Sequence, residues 1–441
     1  MKIDLLTYEI GSTTTKVRAF HDLDKNPEYL GMGQAPTTVL EGDVSLGMVN
    51  ARSMLEQILG AGIEPSLALA SSSAAGGLKM TVHGLTEEMT VRAAKEASLG
   101  AGAVLRYYTV GQITDSDIRK TVSIAPNIVL LAGGVDFGER SIVLQMAKKL
   151  AESPLGCPFV YAGNRALQDE VRDIFAVIGK QVTVTENVYP KVDVLNMEPA
   201  RAVIQKVFSR HILHAPGMEK ISGLVSGEIL PVPHSVMKGL EMLSGRFSDL
   251  MAVDIGGATT DIHSITEGDP RFADLRLEPE PKAKRTVEGD LGVFVNAGSV
   301  LEQSGDPQIE SDFRNLSPMP KTEPEIRLAE ELSWYCLKWG LDRHAGEISD
   351  YYGPTGKKQL VRGKDLTAVK LVIGTGGALT QLPFGEKLLR KALIREPVKK
   401  LLPLDSAKII IDREYMLGSL GVIGHHRPEW ARALAGRYFP S

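Results

Sequence analysis

Two stretches of this chain follow one grammar, and that grammar constrains its fold more than anything else in it. TYEIGSTTTKVRAF, residues 7–20, and DLMAVDIGGATTDIHSI, residues 249–265, each lead from an apolar strand to an acid, turn on glycine, show small or hydroxyl residues and leave on a second apolar strand. Glu9 and Asp254 both stand two residues before the first glycine of their turn. A supersecondary unit that recurs within one chain argues for duplicated halves. A further strand and glycine turn, LVIGTGGALT at 371–380, follows the second hairpin about as far on as LLAGG, 130–134, follows the first. The two turns are therefore paired as equivalents, with extra material placed in the first half.

At 441 residues the chain exceeds what one ordinary core supports, so two lobes or one large domain with insertions is expected. Residues 127–188 alternate strand, helix, strand, helix, strand, which implies an α/β fold with a parallel sheet and right-handed crossovers. Helical spacing covers 44–60 and 86–105, and SLALASSSAAGGLKM between them reads as an apolar strand ending in small residues. VLNMEPARAVIQKVFSRHIL, 194–213, opens a helix with Pro199 in its first turn, where a missing N–H costs nothing. The loop-rich stretch 214–248, with Pro216, Pro231 and Pro233, is the expected seam. That places a first lobe at 1–245 and a second at 246–441.

Composition excludes several classes. With a net charge of −4 and Lys and Arg scattered among acids, no basic block marks a nucleic-acid partner. No apolar run approaches the roughly 18 to 20 residues of a membrane span, and MKIDLL lacks a signal-peptide core, so a cytoplasmic location is expected. Cys157 and Cys336 belong to no CxxC or Cys/His cluster and read as packed thiols. GPTGKK, 353–358, lacks phosphate-loop spacing and reads as a turn, while His211 with His214, and His425 with His426, lack an acidic partner at metal-ligand spacing.

A glycine turn aims successive backbone N–H groups at one point, and adjacent hydroxyls add donors. Two such turns facing each other would grip a polyphosphate from both sides. The acid closing each first strand suits Mg²⁺, which keeps several waters and takes one or two carboxylates plus phosphate oxygens. GTGGAL would let a flat base lie against bare backbone.

EIGSTTTK, DIGGATTD and GTGGAL, in that order, resemble the first phosphate, second phosphate and adenosine motifs of the superfamily containing actin, sugar kinases and heat-shock chaperone ATPases. The resemblance implies a two-lobed actin-like ATPase fold with duplicated ribonuclease H-like subdomains and ATP with Mg²⁺ in the cleft. It implies that Gly11, Ser12, Thr13, Thr14 and Lys16 hold phosphate from one side, and Gly256, Gly257, Ala258 and Thr259 from the other. Asp254, with Glu9, would hold hydrated Mg²⁺, and Gly374, Gly376 and Gly377 would back the adenosine. NMEPARAV resembles the superfamily's connecting helix, so Glu198 is expected with Asp261 to help place the attacking water. Most relatives have aspartate where this chain has Glu9, which shifts the carboxylate outward by about an ångström.

SSAAGGLKMTVHGLT, LLAGGVDFGER, YAGN, NVYPKVDVLNMEPAR, RTVEGDLGVFVNAG and DREYMLGSLGVI resemble the family named MutL or GlmL, encoded beside adenosylcobalamin-dependent glutamate mutase and unrelated to the mismatch-repair ATPase of the same name. That resemblance implies an ATPase acting as a chaperone-like reactivating factor, as monomer or homodimer, whose partner is an adenosylcobalamin-dependent mutase or aminomutase. No DxHxxG cobalamin-ligand motif is present, so the cofactor would be the partner's. The rival readings are a small-molecule or acyl phosphate-forming kinase, an activator of 2-hydroxyacyl-CoA dehydratases, whose clustered cysteines Cys157 and Cys336 do not match, and an actin-like assembly protein.

Overall fold

Alternating apolar residues in KIDLLTYEI and TTKVRAFH build an antiparallel hairpin, β1 (Lys2–Ile10) and β2 (Thr14–His21), with Glu9 opposite Lys16. The computed structural model describes residues 1–38, 41–73, 78–101, 103–213, 218, 220–277, 280–353, 356–394 and 399–439. Beyond β2 lies β3 (Glu28–Pro36), and helix α1 (Val44–Leu59) returns the chain to β4 (Glu64–Ser72), parallel to β1. Asp43 starts that helix by accepting from Ser45 N, and Gly60, in the left-handed region, ends it.

The chain then enters a compact unit of its own, Ala75–Ala215, inserted into a first unit made of Met1–Ala74 and Pro216–Ser441. The inserted unit runs β5 (Leu78–Gly84), α2 (Arg92–Gly100), β6 (Ala103–Val110), α3 (Asp115–Ile124), β7 (Ile128–Ala132), α4 (Ser141–Glu152), β8 (Phe159–Tyr161), α5 (Gln168–Val177), β9 (Val182–Val184) and α6 (Glu198–Leu213). Its sheet is wholly parallel in the order β6-β5-β7-β8-β9. Val129, Leu131, Val143, Met146, Leu150, Phe159 and Phe175 form the buried layer between sheet and helices. The expected strand–helix alternation over 127–188 is present. The helical reading of 86–105 is corrected: a π-turn (87–91) and α2 occupy its first part, but AVLRYYTV pairs with β5 as β6, where its aromatic and β-branched residues favour a pleated surface.

Back in the first unit come β10 (Leu230–Pro231), α7 (Val232–Ser244), β11 (Leu250–Ile255), β12 (Thr260–Ile265), β13 (Ala283–Glu288), α8 (Ala297–Ser304), α9 (Pro307–Asp312), α10 (Glu323–His344), β14 (Glu347–Gly353), β15 (Gly356–Arg362), β16 (Leu371–Thr375), α11 (Gly377–Thr380), α12 (Gly385–Leu393), β17 (Lys408–Ile411), α13 (Met416–His426) and α14 (Pro428–Tyr438). The two five-stranded sheets, β3-β2-β1-β4-β10 and β13-β12-β11-β16-β17, share one plan: two antiparallel pairings, then two parallel ones. This is the duplicated ribonuclease H-like arrangement of the actin-like ATPase fold.

The topology corrects one pairing. The counterpart of β16 is β4, because each lies parallel beside the first strand of its hairpin, whereas LLAGG belongs to β7 of the inserted unit. The stretch 214–248, read as loop, contains α7; Pro233 sits in its first turn, where proline is tolerated. Both hairpins belong to the first compact unit, and residues 245 and 246 lie within it. Of the segments set aside as structural, His214 and part of GPTGKK lie outside the described residues, as do residues 74–77 of the small-residue stretch. Among the described residues no helix is long and apolar enough to cross a membrane.

Candidate functional site

Both hairpins close in the same way. Gly11 N donates to Thr14 O at 3.0 Å and Gly256 N donates to Thr259 O at 2.9 Å, which fixes two matching turns. They face each other closely: a Cβ on Gly257 would lie 2.8 Å from Thr13 Oγ1, so only glycine admits the opposite turn at that distance. Between them opens a cavity of ≈ 300 Å³. Glu9, Gly11, Ser12, Thr13, Thr14 and Lys16 line it from the first hairpin, and Asp254, Gly256, Gly257, Ala258, Thr259 and Asp261 from the second.

Three carboxylates converge there, and their company differs. Glu9 spends both oxygens on cations, with Lys16 Nζ 2.7 Å from Oε1 and Arg18 Nη2 3.3 Å from Oε2. Burial alone would raise its pKa, but Lys16 and Arg18 outweigh that and hold it below the usual carboxylate value. Lys16 is raised in turn: burial works against its charge, and Glu9 overcomes it. Its ammonium also sits 3.6 Å over the ring of Tyr415, a buried residue at φ 52°. Asp261 Oδ1 is 2.5 Å from Arg285 Nη2, and its Oδ2 accepts from Thr259 Oγ1 at 3.2 Å. Asp254 has no cation partner among the described residues; burial, with Asp261 and Glu9 adding, pushes its pKa up to about 7. It is the carboxylate whose charge awaits a partner.

The adenosine-motif glycines divide. Gly376, at φ 82°, presses on Asp254: a Cβ there would stand 2.4 Å from Asp254 Oδ1 and 2.4 Å from Ile255 O. Gly376 and Gly377 line the cavity, whereas Gly374 packs against Leu389 and Ile411. Glu198 stands apart in kind. It lies at the start of α6 in the inserted unit, pairs with Arg201 at 2.5 Å and is exposed, whereas every residue lining the cavity belongs to the first unit. The helix that follows the last strand of the first sheet is α7, and its Val232 and Pro233 line the cavity.

Sequence reasoning missed the rest of the lining: Gln34, Ser73, Val293, Phe294, residues 317–321, Ala329, Ala378, Gln381 and Leu382. Gln34 was findable, because it lies opposite Lys16 across β2 and β3 and so extends the row that starts at Glu9. SPMPK, 317–321, carries its signal in two prolines ahead of the Thr322 capping box of α10.

Donors from two opposed turns, apolar and amide side chains at the glycine end and one uncommitted carboxylate fit a nucleoside polyphosphate with a divalent cation. The two cysteines fit no such role. Burial pushes Cys157 up to about 11 and Cys336 up to about 12, which makes both poor nucleophiles and poor metal ligands.

The family model described as "MutL protein" matches residues 5–439 of the chain. "Protein MutL" of Clostridium tetanomorphum is 36% identical over 458 residues, covering 98% of this chain and 98% of that protein. Among solved structures, nucleotide-free acetone carboxylase aligns at TM-score 0.42 and 13% identity over 95% of this chain and 70% of its own. Component A of the (R)-2-hydroxyglutaryl-CoA dehydratase of Acidaminococcus fermentans aligns at 0.35 and 9%, over 97% and 99%.

Proposed function

Because this chain belongs to the MutL protein family, we propose that it is an ATP-dependent reactivating factor for an adenosylcobalamin-dependent mutase of the glutamate mutase type. The observation that carries the ATPase part is the pair of opposed glycine turns around Asp254. The partner follows from the association of the family, which the outlying motifs support.

In this reading Ser12, Thr13 and Thr14 take the phosphates from one side and Gly257, Ala258 and Thr259 from the other. Asp254 holds the hydrated Mg²⁺, which when bound neutralises phosphate charge. Glu9 keeps Lys16 charged and in place at the rim of the phosphate pocket, so its contribution to the metal is indirect. Asp261, held by Arg285, orients water at the open face of the last phosphate. Gly376, Gly377, Gln381, Leu382 and residues 317–321 enclose the nucleoside. Hydrolysis then proceeds by positioning and electrostatics. Nucleotide state can act on a partner only through differential affinity, so the ATP-bound and ADP-bound forms must bind the mutase unequally.

The test is a reactivation assay with glutamate mutase carrying damaged cobalamin, given this protein, Mg²⁺, ATP and fresh adenosylcobalamin. Recovery that fails without ATP is the expected result. Normal ATP hydrolysis with no recovery in glutamate mutase or an aminomutase panel would turn the assignment toward a small-molecule or acyl phosphate-forming kinase.

A further inference from the structure

Three of the family-like stretches have no place in the nucleotide cavity, and the inserted unit brings them together. LLAGGVDFGER leaves the end of β7, YAGN the end of β8, and NVYPKVDVLN follows β9. All three therefore emerge at the C-terminal edge of one parallel sheet, the edge at which open α/β sheets bind their ligands.

The loops are built to hold one unfavourable feature. Phe137 has φ 64°, a region bulky residues avoid, and the residue is 69% exposed. Buried Asn164 fixes it: its Oδ1 accepts from Phe137 N at 2.9 Å and from Ala166 N at 3.0 Å. Buried Asn187 donates to Gly134 O at 3.0 Å and to Asp136 Oδ1 at 2.9 Å, while Asp136 N donates to Pro190 O at 2.9 Å. The guanidinium of Arg165 lies 4.6 Å over the Phe137 ring. Val192 and Val194, 63% and 43% exposed, stand on the loop just beyond Pro190. Two buried amides and a tethered backbone thus spend stability to put an aromatic ring in water, a strain that persists only where its surroundings over-determine it.

The edge offers a protrusion rather than a hole. A Cβ on Gly163 would lie 2.7 Å from Gly133 N, and one on Gly133 would lie 2.7 Å from Val143 Cγ2, so backbone and the Val143 side chain close the space beyond β7 and β8. The charges choose the occupant. Asp136, Glu139, Glu170 and Glu186 all accept hydrogen bonds from within the unit. The Arg165 guanidinium, 63% exposed, reaches Asp136 only at 3.7 Å besides lying over Phe137, and Lys191 has no ion-pair partner among the described residues. Those acids disfavour a polyphosphate backbone, while an exposed aromatic ring with the exposed Arg165 guanidinium on its face fits a protein pocket with an apolar floor and an acceptor-bearing rim.

We propose that the loop edge of the inserted unit, with Phe137 as its anchor and Arg165 beside it, is the surface that docks on the mutase; the identity of that partner rests on the functional reading above. Binding of adenosylcobalamin-dependent glutamate mutase holoenzyme to the full chain, measured with ATP and with ADP, tests it. Phe137→Asn removes the ring but tolerates the left-handed backbone, and Arg165→Ala is the second variant. Each should weaken mutase binding about tenfold or more while leaving mutase-free ATP hydrolysis unchanged. Wild-type affinity in both variants overturns the docking surface and leaves the functional reading standing. A wild-type chain that binds the mutase in neither nucleotide state overturns the functional reading and this surface with it.

Discussion

Three carboxylates cannot share one buried cavity as free charges, and here two of them are neutralised by the chain itself. Glu9 is held by Lys16 and Arg18, and Asp261 by Arg285, whereas Asp254 has no cation partner among the described residues. Asp254→Asn should therefore keep the fold and lower ATP hydrolysis by about tenfold or more, since in the proposed site it removes the charge that would hold Mg²⁺; turnover at the wild-type rate in a folded variant would withdraw that role. Lys16→Met makes the opposite kind of prediction. It strips Glu9 of its closer counter-ion in a buried site and should cost about 3–5 kcal/mol in urea unfolding. Glu9→Gln in the same chain should recover part of that loss, because the two residues are coupled. An unchanged midpoint together with lost hydrolysis would mean that Lys16 serves phosphate rather than Glu9. The residue types of this site were legible in EIGSTTTK and DIGGATTD, but Glu9 as the counter-ion of Lys16 was not read from them. That pairing follows from cross-strand register, which the four-residue turn 11–14 sets by leaving Ile10 opposite Thr15 and Glu9 opposite Lys16.

At the scale of elements, the two sheets meet through one helix from each half. α7 follows the last strand of the first sheet and α13 the last strand of the second, and they pack backbone to backbone. A Cβ on Gly239 would stand 2.0 Å from Leu417 O, and one on Gly421 would stand 1.7 Å from Ser235 O. No side-chain rearrangement relieves a clash with backbone. Gly421→Ala should cost about 3 kcal/mol or more in denaturant unfolding and lower ATP hydrolysis with it, as the hairpins lose their spacing. Wild-type stability would show that the helices can separate freely. This crossing was hidden in the sequence because Pro231 and Pro233 mark a loop as readily as a helix start, and nothing in SVMKGLEML says that its glycine faces another backbone. The hairpin repeat was plain, yet spacing paired GTGG with the wrong turn. Distance along a chain counts inserted residues that strand order ignores, and only the sheet showed that β4 is the partner of β16.

The whole molecule is a duplicated actin-like core interrupted once, between β4 and β10, by a unit with its own sheet and its own buried layer. Insertion into a connection leaves both segments able to satisfy their hydrogen bonds internally, so residues 75–215 expressed alone should unfold in one cooperative transition. Its acid sensitivity is set by one residue. His83 is fully buried on β5, with Nδ1 2.9 Å from Thr109 Oγ1 and Nε2 3.2 Å from Thr81 Oγ1, and burial, partly opposed by Asp117, lowers its pKa to about 4. Between about pH 6.5 and 4 the unfolded chain takes up a proton at this position that the folded unit refuses. Stability from this source is thus complete above 6.5 and falls as the pH drops toward 4, by about 3 kcal/mol in all. Urea midpoints of the isolated unit across that range should decline, and His83→Gln should flatten the decline even if it lowers every midpoint. A variant whose midpoints fall between pH 6.5 and 4 as steeply as those of the wild type would remove His83 from that role, since Asp115 and Asp117, held below the usual carboxylate value by Lys149 and by the cap of α3, lose their contribution only below about pH 4.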